Sequence, residues 1–368
     1  MLLEKVLLKN FRNYEYQEII PKKGINIVYG RNGQGKTNLL EAIFLCSTAR
    51  SHRTSKDIDL IKNGQDFYYI EIEGKRDEEP FSISIHSNKK NSKNTKRTIK
   101  VNDINIKKIG ELMGIFNCVM FSPEDLDIIK GGPAERRRFL DILISQINPP
   151  YFYNLQEYYR IVKQKNAYLK ILSNSNQDPI LLDVYNQKQA KVGFLINKER
   201  QAFVNLLSED VKEINGQFTK DKEKLEIKYN SEQKELCESE EEFYEVLSNN
   251  KSKEIRNQST IYGPHRDDLE ILLNNYNIRE YGSQGQQRTA VLSLKFSEIN
   301  IIKNKTNKNP IILLDDALSE LDLTRKRALL EKIENNQTFI TCTEKRTYMT
   351  LSGDINFFNV NDGIIKGF

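Results

Sequence analysis

A glycine-rich octapeptide, GRNGQGKT at residues 30–37, constrains the fold of this 368-residue chain more than any other feature. An apolar run over residues 25–29 leads into it, and a helical pattern over residues 38–46 follows it. Strand, glycine turn and helix in this order predict a phosphate-binding loop, in which backbone N–H groups converge on phosphate oxygens. The predicted nucleotide-binding residues are Gly30, Arg31, Asn32, Gly33, Gln34, Gly35, Lys36 and Thr37.

Two adjacent carboxylates supply the second half of such a site. Asp315 and Asp316 follow four consecutive aliphatic residues, a pattern that predicts a buried strand ending in an acidic pair. We expect Asp315 and the Thr37 hydroxyl to ligate Mg²⁺, Lys36 to neutralise the outer phosphates of ATP, and Asp316 to act as general base or to position water. The predicted cofactors are therefore ATP and Mg²⁺.

The segment SQGQQ at residues 283–287 resembles the signature of ABC-type ATPases, which is normally LSGGQ. A serine and a glycine at a helix N-terminus form an anion site, here built by Ser283, Gly285 and Gln286. In ABC-type ATPases this site binds the γ-phosphate of a nucleotide held by a second subunit. The resemblance implies an ATP-dependent homodimer, with Ser283 in the catalytic set. It also marks Asp316 as a departure, because ABC-type ATPases usually carry Glu there, and the shorter side chain predicts slow hydrolysis.

The chain as a whole resembles the RecF family. The resemblance rests on NFRNY (10–14), NGQGKTNLLEAI (32–43), FSPEDL (121–126), RRRFLD (136–141), YGPHRDD (262–268), GSQGQQR (282–288) and LLDDALSELD (313–322). It implies a cytoplasmic protein of recombinational repair and replication restart, with weak, DNA-stimulated ATP hydrolysis coupled to dimer opening. The implied partners are double-stranded and gapped DNA and RecR, with RecO and the loading of RecA downstream. It also implies a D-loop at Ser319–Asp322 and a γ-phosphate contact by Thr341 or Thr343, where transporters place a histidine.

Periodicity divides the chain into three parts. Residues 1–120 read as the N-terminal part of an α/β ATPase lobe, with antiparallel strands over residues 67–101. Residues 121–258 read as a mainly helical inserted lobe, in which Leu182, Tyr185, Val192, Leu195, Phe203, Leu207, Val211 and Ile214 mark one buried helix face. Residues 259–368 read as the signature helix and the C-terminal part of the ATPase lobe.

The net charge of +5 is too small to indicate nucleic-acid binding by itself, so the argument rests on local clusters. Residues 87–102 contain no acidic residue and form one cluster, and the arginine run at residues 136–138 forms a second. Duplex backbone contacts are favoured over base stacking, because the chain has no Trp and its basic stretches contain no interleaved aromatic residues. The candidate DNA contacts are Lys89, Lys90, Lys93, Lys96, Arg97, Arg136 and Arg137.

Other functions remain as alternatives. An SMC-type head shares the motifs but would need a long coiled coil between residues 30 and 283, and a small-molecule kinase would explain the phosphate loop without the signature. A transporter subunit is disfavoured by the missing switch histidine. The alternative that is not an enzyme is a nucleotide-gated scaffold, in which ATP hydrolysis is incidental to function. No apolar run approaches the roughly 20 residues that span a bilayer, so no membrane association is predicted.

Overall fold

A computed structural model describes residues 1–91, 94–174, 180–231, 237–318, 323–345 and 355–367, with the backbone alone at residues 323, 324, 327 and 328. The fold is mixed α/β, as the sequence predicted. The chain forms two compact units, the first made of residues 1–125 and 298–368 and the second of residues 126–297. None of the described helices is both long and apolar enough to cross a lipid bilayer.

The second unit extends further along the chain than the division predicted at 258/259. Residues 259–297 belong to it because the strand over residues 268–273 pairs with the strand over residues 225–230, and because Gln286 Nε2 donates to Glu223 Oε1 at 2.9 Å. Within one continuous helix, the contacts change from the second unit to the first between Ser297 and Glu298.

A six-stranded antiparallel sheet fills much of the first unit, in the order β2-β1-β4-β5-β6-β7. The alternation over residues 67–101 does form neighbouring antiparallel strands, and Ile70, Ile72, Ile83 and Ile85 on its inner face are completely buried. Its strands are β1 (Leu2–Phe11), β2 (Tyr14–Ile19), β4 (Phe67–Arg76), β5 (Glu79–Lys89), β6 (Thr95–Val101) and β7 (Ile104–Asn105).

The second sheet of the first unit has the order β15-β14-β3-β13-β12-β8, with parallel pairing from β14 to β8 and β15 as an antiparallel edge. Strands β8 and β12 are continuous apolar runs, and β3 and β13 are buried along most or all of their length, because parallel sheets are covered on both faces. The strands are β3 (Ile25–Tyr29), β8 (Cys118–Phe121), β12 (Ile311–Leu314), β13 (Thr338–Cys342), β14 (Ile355–Asn361) and β15 (Ile364–Gly367). The described helices of this unit are α1 (Lys36–Thr48), α10 (Leu323–Lys332) and the last part of α9 (Gln284–Thr306), with 3₁₀ turns at Asp57–Leu60, Ile109–Glu111 and Pro123–Leu126.

The second unit is mainly helical, with a small antiparallel sheet in the order β11-β10-β9. The predicted long helix exists, but Leu195 on its predicted buried face is 41% exposed. At that level the helix instead buries the polar residues Gln189, Asn197 and Arg200. The elements are α2 (Asp127–Lys130), α3 (Pro133–Ile147), α4 (Pro149–Leu172), α5 (Ile180–Thr219), α6 (Glu240–Asn249), α7 (Lys251–Asn257), α8 (Ile278–Tyr281), the first part of α9 (Gln284–Thr306), β9 (Leu225–Asn230), β10 (Asp268–Leu273) and β11 (Tyr276–Asn277).

Buried polar contacts explain the segment GPHRDD at residues 263–268. The fully buried Arg200 donates to Pro264 O at 2.6 Å and pairs with Asp141 at 2.8 Å. Tyr158 OH lies 2.8 Å from His265 Nδ1, and His265 Nε2 lies 3.3 Å from Thr260 O. Because a carbonyl only accepts, Nε2 carries the proton and Nδ1 accepts from the tyrosine. The segment therefore cross-links the helices of the second unit.

Candidate nucleotide-binding site

The phosphate loop joins the end of β3 to the start of α1, and its shape depends on glycine at two positions. Gly30 has φ +155°, and a Cβ atom there would lie 2.3 Å from Val360 O. Gly35 has φ +118°, and a Cβ atom there would lie 2.5 Å from the Asn13 side chain. Side chains are excluded at both positions by backbone conformation and by neighbouring atoms. The loop therefore needs glycine at residues 30 and 35 to adopt this conformation.

The Lys36 ammonium lies inside this loop. Lys36 is 5% exposed, and its Nζ donates to Gly30 O at 2.8 Å, to Arg31 O at 3.1 Å and to Asn32 Oδ1 at 3.4 Å. Arg31 and Asn32 are themselves exposed. A positive charge at the centre of a glycine loop, at the N-terminal end of α1, is the arrangement that binds the outer phosphates of a nucleotide.

The carboxylate after β12 lies beside the loop. Thr37 Oγ1 donates to Asp315 Oδ1 at 2.9 Å, and Thr341 Oγ1, from β13, donates to the same oxygen at 2.8 Å. The Asp315 backbone N–H donates to Phe121 O at 2.8 Å, which fixes the strand end. Burial raises the pKa of the Asp315 carboxyl, the two hydroxyl donors act against that shift, and the charge of Asp316 adds to it.

These groups fit a magnesium ion. A hydroxyl and a carboxylate are hard oxygen ligands, and Mg²⁺ is commonly held by one or two protein oxygens together with water and phosphate oxygens. A buried carboxylate whose pKa is raised gains most from a nearby cation. Asp316 follows with φ +48°, and its backbone N–H donates to Thr341 Oγ1 at 2.8 Å. Thr341 thus orients both acidic residues.

The segment NFRNY supplies contacts to the loop that the sequence analysis did not identify. Asn13 Nδ2 donates to Gln34 O at 2.7 Å, and Tyr14 OH donates to Gly35 O at 2.8 Å. The Asp362 backbone N–H donates to Gln34 Oε1 at 2.6 Å, and the Gly363 N–H donates to Gln34 O at 3.2 Å. Two segments distant in sequence therefore both hold Gln34 of the phosphate loop. In the sequence, NFRNY was noted only as a segment that resembles the family, and that resemblance did not indicate what its side chains contact.

A buried ion pair anchors the same segment to α1. The Arg12 guanidinium makes two hydrogen bonds to the carboxylate of Glu41, at 2.9 and 2.7 Å. Glu41 is completely buried, which by itself would raise its pKa, but the bonds from Arg12 and Ser51 lower the pKa below its ordinary value. Arg53 Nη1 lies 3.8 Å from the same carboxylate.

A cleft of about 420 Å³ opens beside the phosphate loop. Of the two threonines expected at the γ-phosphate, Thr343 is exposed and lines this cleft together with Arg31 and Lys366, whereas Thr341 is buried and holds Asp315. The geometry favours Thr343 for a phosphate contact and gives Thr341 a positioning role. The complete lining is Tyr29, Gly30, Arg31, Thr343, Asn359, Val360, Asn361, Ile364 and Lys366.

In the second unit, residues 283–287 form a capped helix start. The Ser283 backbone N–H donates to Gln286 Oε1 at 2.8 Å, and the Gln286 backbone N–H lies 3.3 Å from Ser283 Oγ, which is a capping box. Ser283 and Gly285 are exposed, and a Cβ atom at Gly285 would meet no atom within 4 Å. The intramolecular structure therefore leaves room for a group to approach the N-terminus of α9 at Gly285.

The predicted DNA contacts separate into two groups. Lys89, Lys90 and Lys96 are exposed around the β5–β6 connection. Arg97 instead points inward, pairs with Asp57 and donates to Ala49 O at 2.6 Å. Arg136 is 7% exposed and makes two bonds to Asp268, at 2.7 and 2.8 Å.

A DNA contact by Arg97 or Arg136 does not fit this geometry, because each guanidinium is committed to a partially buried carboxylate. Arg137 donates to Asp267 O at 2.7 Å and remains half-buried. Lys93 and the expected D-loop, Ser319–Asp322, lie outside the described residues.

The chain is similar to known proteins over almost its whole length. The model of the RecF/RecN/SMC N-terminal domain family matches residues 2–366. The DNA replication and repair protein RecF of Acetivibrio thermocellus is 43% identical over 371 residues, covering 99% of each chain. The protein of the same name from Clostridium botulinum is 45% identical over 371 residues, covering all of both chains.

Solved structures give the same result for the fold. The recombination mediator protein RecF of the RecFOR pathway, with ATP, has a TM-score of 0.91 at 38% identity, covering all of this chain and 97% of the other. The Smc head domain of Pyrococcus furiosus has a TM-score of 0.56 at 18% identity, covering all of this chain and 96% of the other, which indicates a shared fold.

Proposed function

The chain belongs to the RecF family of DNA replication and repair proteins, and we propose that it is a slow, DNA-stimulated ATPase that closes as an ATP-bound dimer on duplex or gapped DNA. The open N-terminus of α9 at Gly285 carries this proposal. It is an anion site in the second unit, whereas the phosphate loop and the Thr37–Asp315 pair belong to the first. A nucleotide bound by the loop of one copy and capped by Ser283 of another would use both.

The residues of the site divide the work of hydrolysis. Lys36 and the loop amides bind and neutralise the outer phosphates, and Ser283 with the α9 N-terminus orients the γ-phosphate from the opposite side. Thr37 and Asp315 would hold Mg²⁺, which supplies charge neutralisation between the phosphates. Asp316 accepts the proton of the attacking water or orients that water. Its side chain is one methylene shorter than Glu, which lengthens the reach to the water and slows the step.

Exposed lysines of the first unit are the proposed contacts to DNA phosphates. Lys89, Lys90 and Lys96 surround the β5–β6 connection, and Lys100 lies exposed on β6. Lysines at this density release counterions from duplex DNA without reading sequence. In the cell we propose that the DNA-bound dimer works with RecR, and with RecO in the loading of RecA. Support comes from relatives whose structures are described as belonging to the RecFOR pathway.

Duplex affinity and molecular mass, measured together with ATP, a non-hydrolysable analogue, ADP or no nucleotide, test the proposal. We expect a dimer and tight duplex binding only with the triphosphates, and an affinity that falls as salt rises. Lys36→Ala is the matched control and should remain monomeric in every condition. A wild-type protein that stays monomeric with saturating triphosphate and duplex would contradict the proposal.

A further inference from the structure

The outer face of the antiparallel sheet carries a row of aromatic side chains from three of its strands. Cross-strand register sets Lys9 of β1 opposite Tyr16 of β2 and Tyr69 of β4, and sets Tyr69 opposite His86 of β5. Phe67 of β4 completes the group, with its ring centroid 5.7 Å from that of His86. We call Tyr16, Tyr69, His86 and Phe67 the aromatic row. These rings lie between residues 16 and 86 of the sequence and become neighbours only through the sheet.

A lysine lies within the aromatic row. Lys9 Nζ is 5.6 Å from the ring centroid of Tyr16 and 5.7 Å from that of Tyr69. Tyr69 and His86 meet edge to face at 6.3 Å. Burial, followed by the charge of Glu71, raises the pKa of Tyr69 to about 12, so its ring is uncharged at neutral pH. Tyr16 is 58% exposed although its ring is large and apolar.

The surroundings of the aromatic row differ in charge on its two sides. On one side, the register runs from Phe67 of β4 through Asn88 of β5 to the exposed Lys96 of β6. The exposed Lys89 and Lys90 lie at the end of β5. On the other side, Glu71 and Glu18 face the same surface, opposite Leu7. An extended anionic chain would therefore follow the side of Lys96.

We propose that the aromatic row, with Lys9 and Lys96, binds single-stranded DNA by stacking on unpaired bases while the lysines contact its phosphates. Aromatic side chains interleaved with cations are the combination that binds single strands without sequence preference, because every base has a π-face. Paired bases within a duplex are stacked on one another and offer no free face. The aromatic row therefore distinguishes single-stranded from duplex DNA. This inference rests on the proposed DNA-binding function only for the role of such binding in the cell.

The experiment measures the binding of a fluorescent single-stranded oligonucleotide and of a duplex of equal length to the full chain. Three variants are compared with the wild type. Tyr16→Ala combined with Tyr69→Ala removes two rings, and Tyr16→Phe combined with Tyr69→Phe keeps them. Tyr276→Ala removes an exposed tyrosine of the second unit. Urea unfolding of each variant establishes that the fold is retained.

We expect the double alanine variant to lose about tenfold or more in single-strand affinity, with duplex affinity within about twofold of wild type. The double phenylalanine variant and Tyr276→Ala should bind as the wild type does. Unchanged single-strand binding by the double alanine variant, an equal loss for duplex, or a wild type without single-strand binding would each overturn the inference. A wild type that binds single strands but never duplex would instead count against the proposed function.

Discussion

The Thr37 hydroxyl donates a 2.9 Å hydrogen bond to Asp315 Oδ1 across 278 positions of sequence. Through this bond the phosphate loop and the end of β12 share one oxygen, which Thr341 also contacts at 2.8 Å. The carboxylate is buried, and burial raises its pKa. The ionised carboxylate therefore destabilises the fold but helps to bind a cation. Removing its charge should raise the free energy of unfolding and lower the rate of ATP hydrolysis.

Asp315→Asn should lower kcat for ATP by about 100-fold or more, the size expected when one preorganised group at a developing charge is lost. The asparagine Oδ1 can still accept from Thr37 and Thr341, so the variant should fold. Steady-state hydrolysis with Mg²⁺ and ATP measures the first effect, and urea unfolding without nucleotide measures the second.

The sign of the stability effect follows from the raised pKa. A carboxyl whose folded pKa lies above its unfolded value is favourable to the fold when protonated, and that contribution is lost as pH rises through the folded pKa. Asp315→Asn should thus be more stable than wild type at pH 7, and the difference should shrink as pH falls toward 4. A variant less stable than wild type at pH 7 would contradict this reading of the site.

Asn13→Ala should raise KM for ATP by about tenfold with a smaller change in kcat, because it removes the 2.7 Å bond that holds Gln34 O and leaves the reacting groups in place. Gln34→Ala removes the side-chain contact to the Asp362 backbone. If both contacts hold one loop conformation, the double variant should show less than the sum of the two free-energy changes. Strict additivity would indicate two independent local effects.

His265→Gln should make the protein less sensitive to acid. Burial lowers the pKa of His265 to about 4, helped by the charges of Arg266, Arg137 and Lys165. A lowered folded pKa contributes stability that is complete above the unfolded value near 6.5 and is lost as pH falls toward 4. Wild type should lose about 3 kcal/mol of unfolding free energy over that range from this group.

Urea unfolding at pH 7, 5.5 and 4 measures this difference between His265→Gln and wild type. His86→Gln, which makes the same substitution on the outer face of the antiparallel sheet, is measured alongside as the control for the change of residue type. Equal acid sensitivity of His265→Gln and wild type would show that protonation of His265 does not limit stability.

Local patterns predicted the strands and helices well because their periodicity reflects which face is buried. The run over residues 311–314 and the alternation over residues 67–101 both formed the predicted strands. The prediction that Leu195 is buried was wrong. Helical periodicity assumes that the buried face of a helix is apolar, whereas α5 buries the polar residue Arg200 at this level.

Contacts between segments distant in sequence were beyond local patterns. The Asn13–Gln34 bond, the inward turn of Arg97 and the neighbourhood of Tyr16, Tyr69 and His86 all depend on sheet register, which spacing within one segment does not contain. Absence of aromatic residues from the basic stretches of the sequence therefore said little about their presence on the same surface.

The account depends on one nucleotide being shared by two copies, and mixing two inactive variants tests this most directly. Lys36→Ala removes the loop cation, and Ser283→Arg blocks the N-terminus of α9, so each should be inactive alone. In an equimolar mixture, only heterodimers pair the intact loop of one variant with the intact Ser283 of the other, at one of their two sites. The account predicts that the mixture regains hydrolysis that neither variant has alone, roughly a quarter of the wild-type rate if half of the copies pair as heterodimers. A mixture no more active than its components, or a Ser283→Arg protein that hydrolyses ATP fully as a monomer, would contradict it.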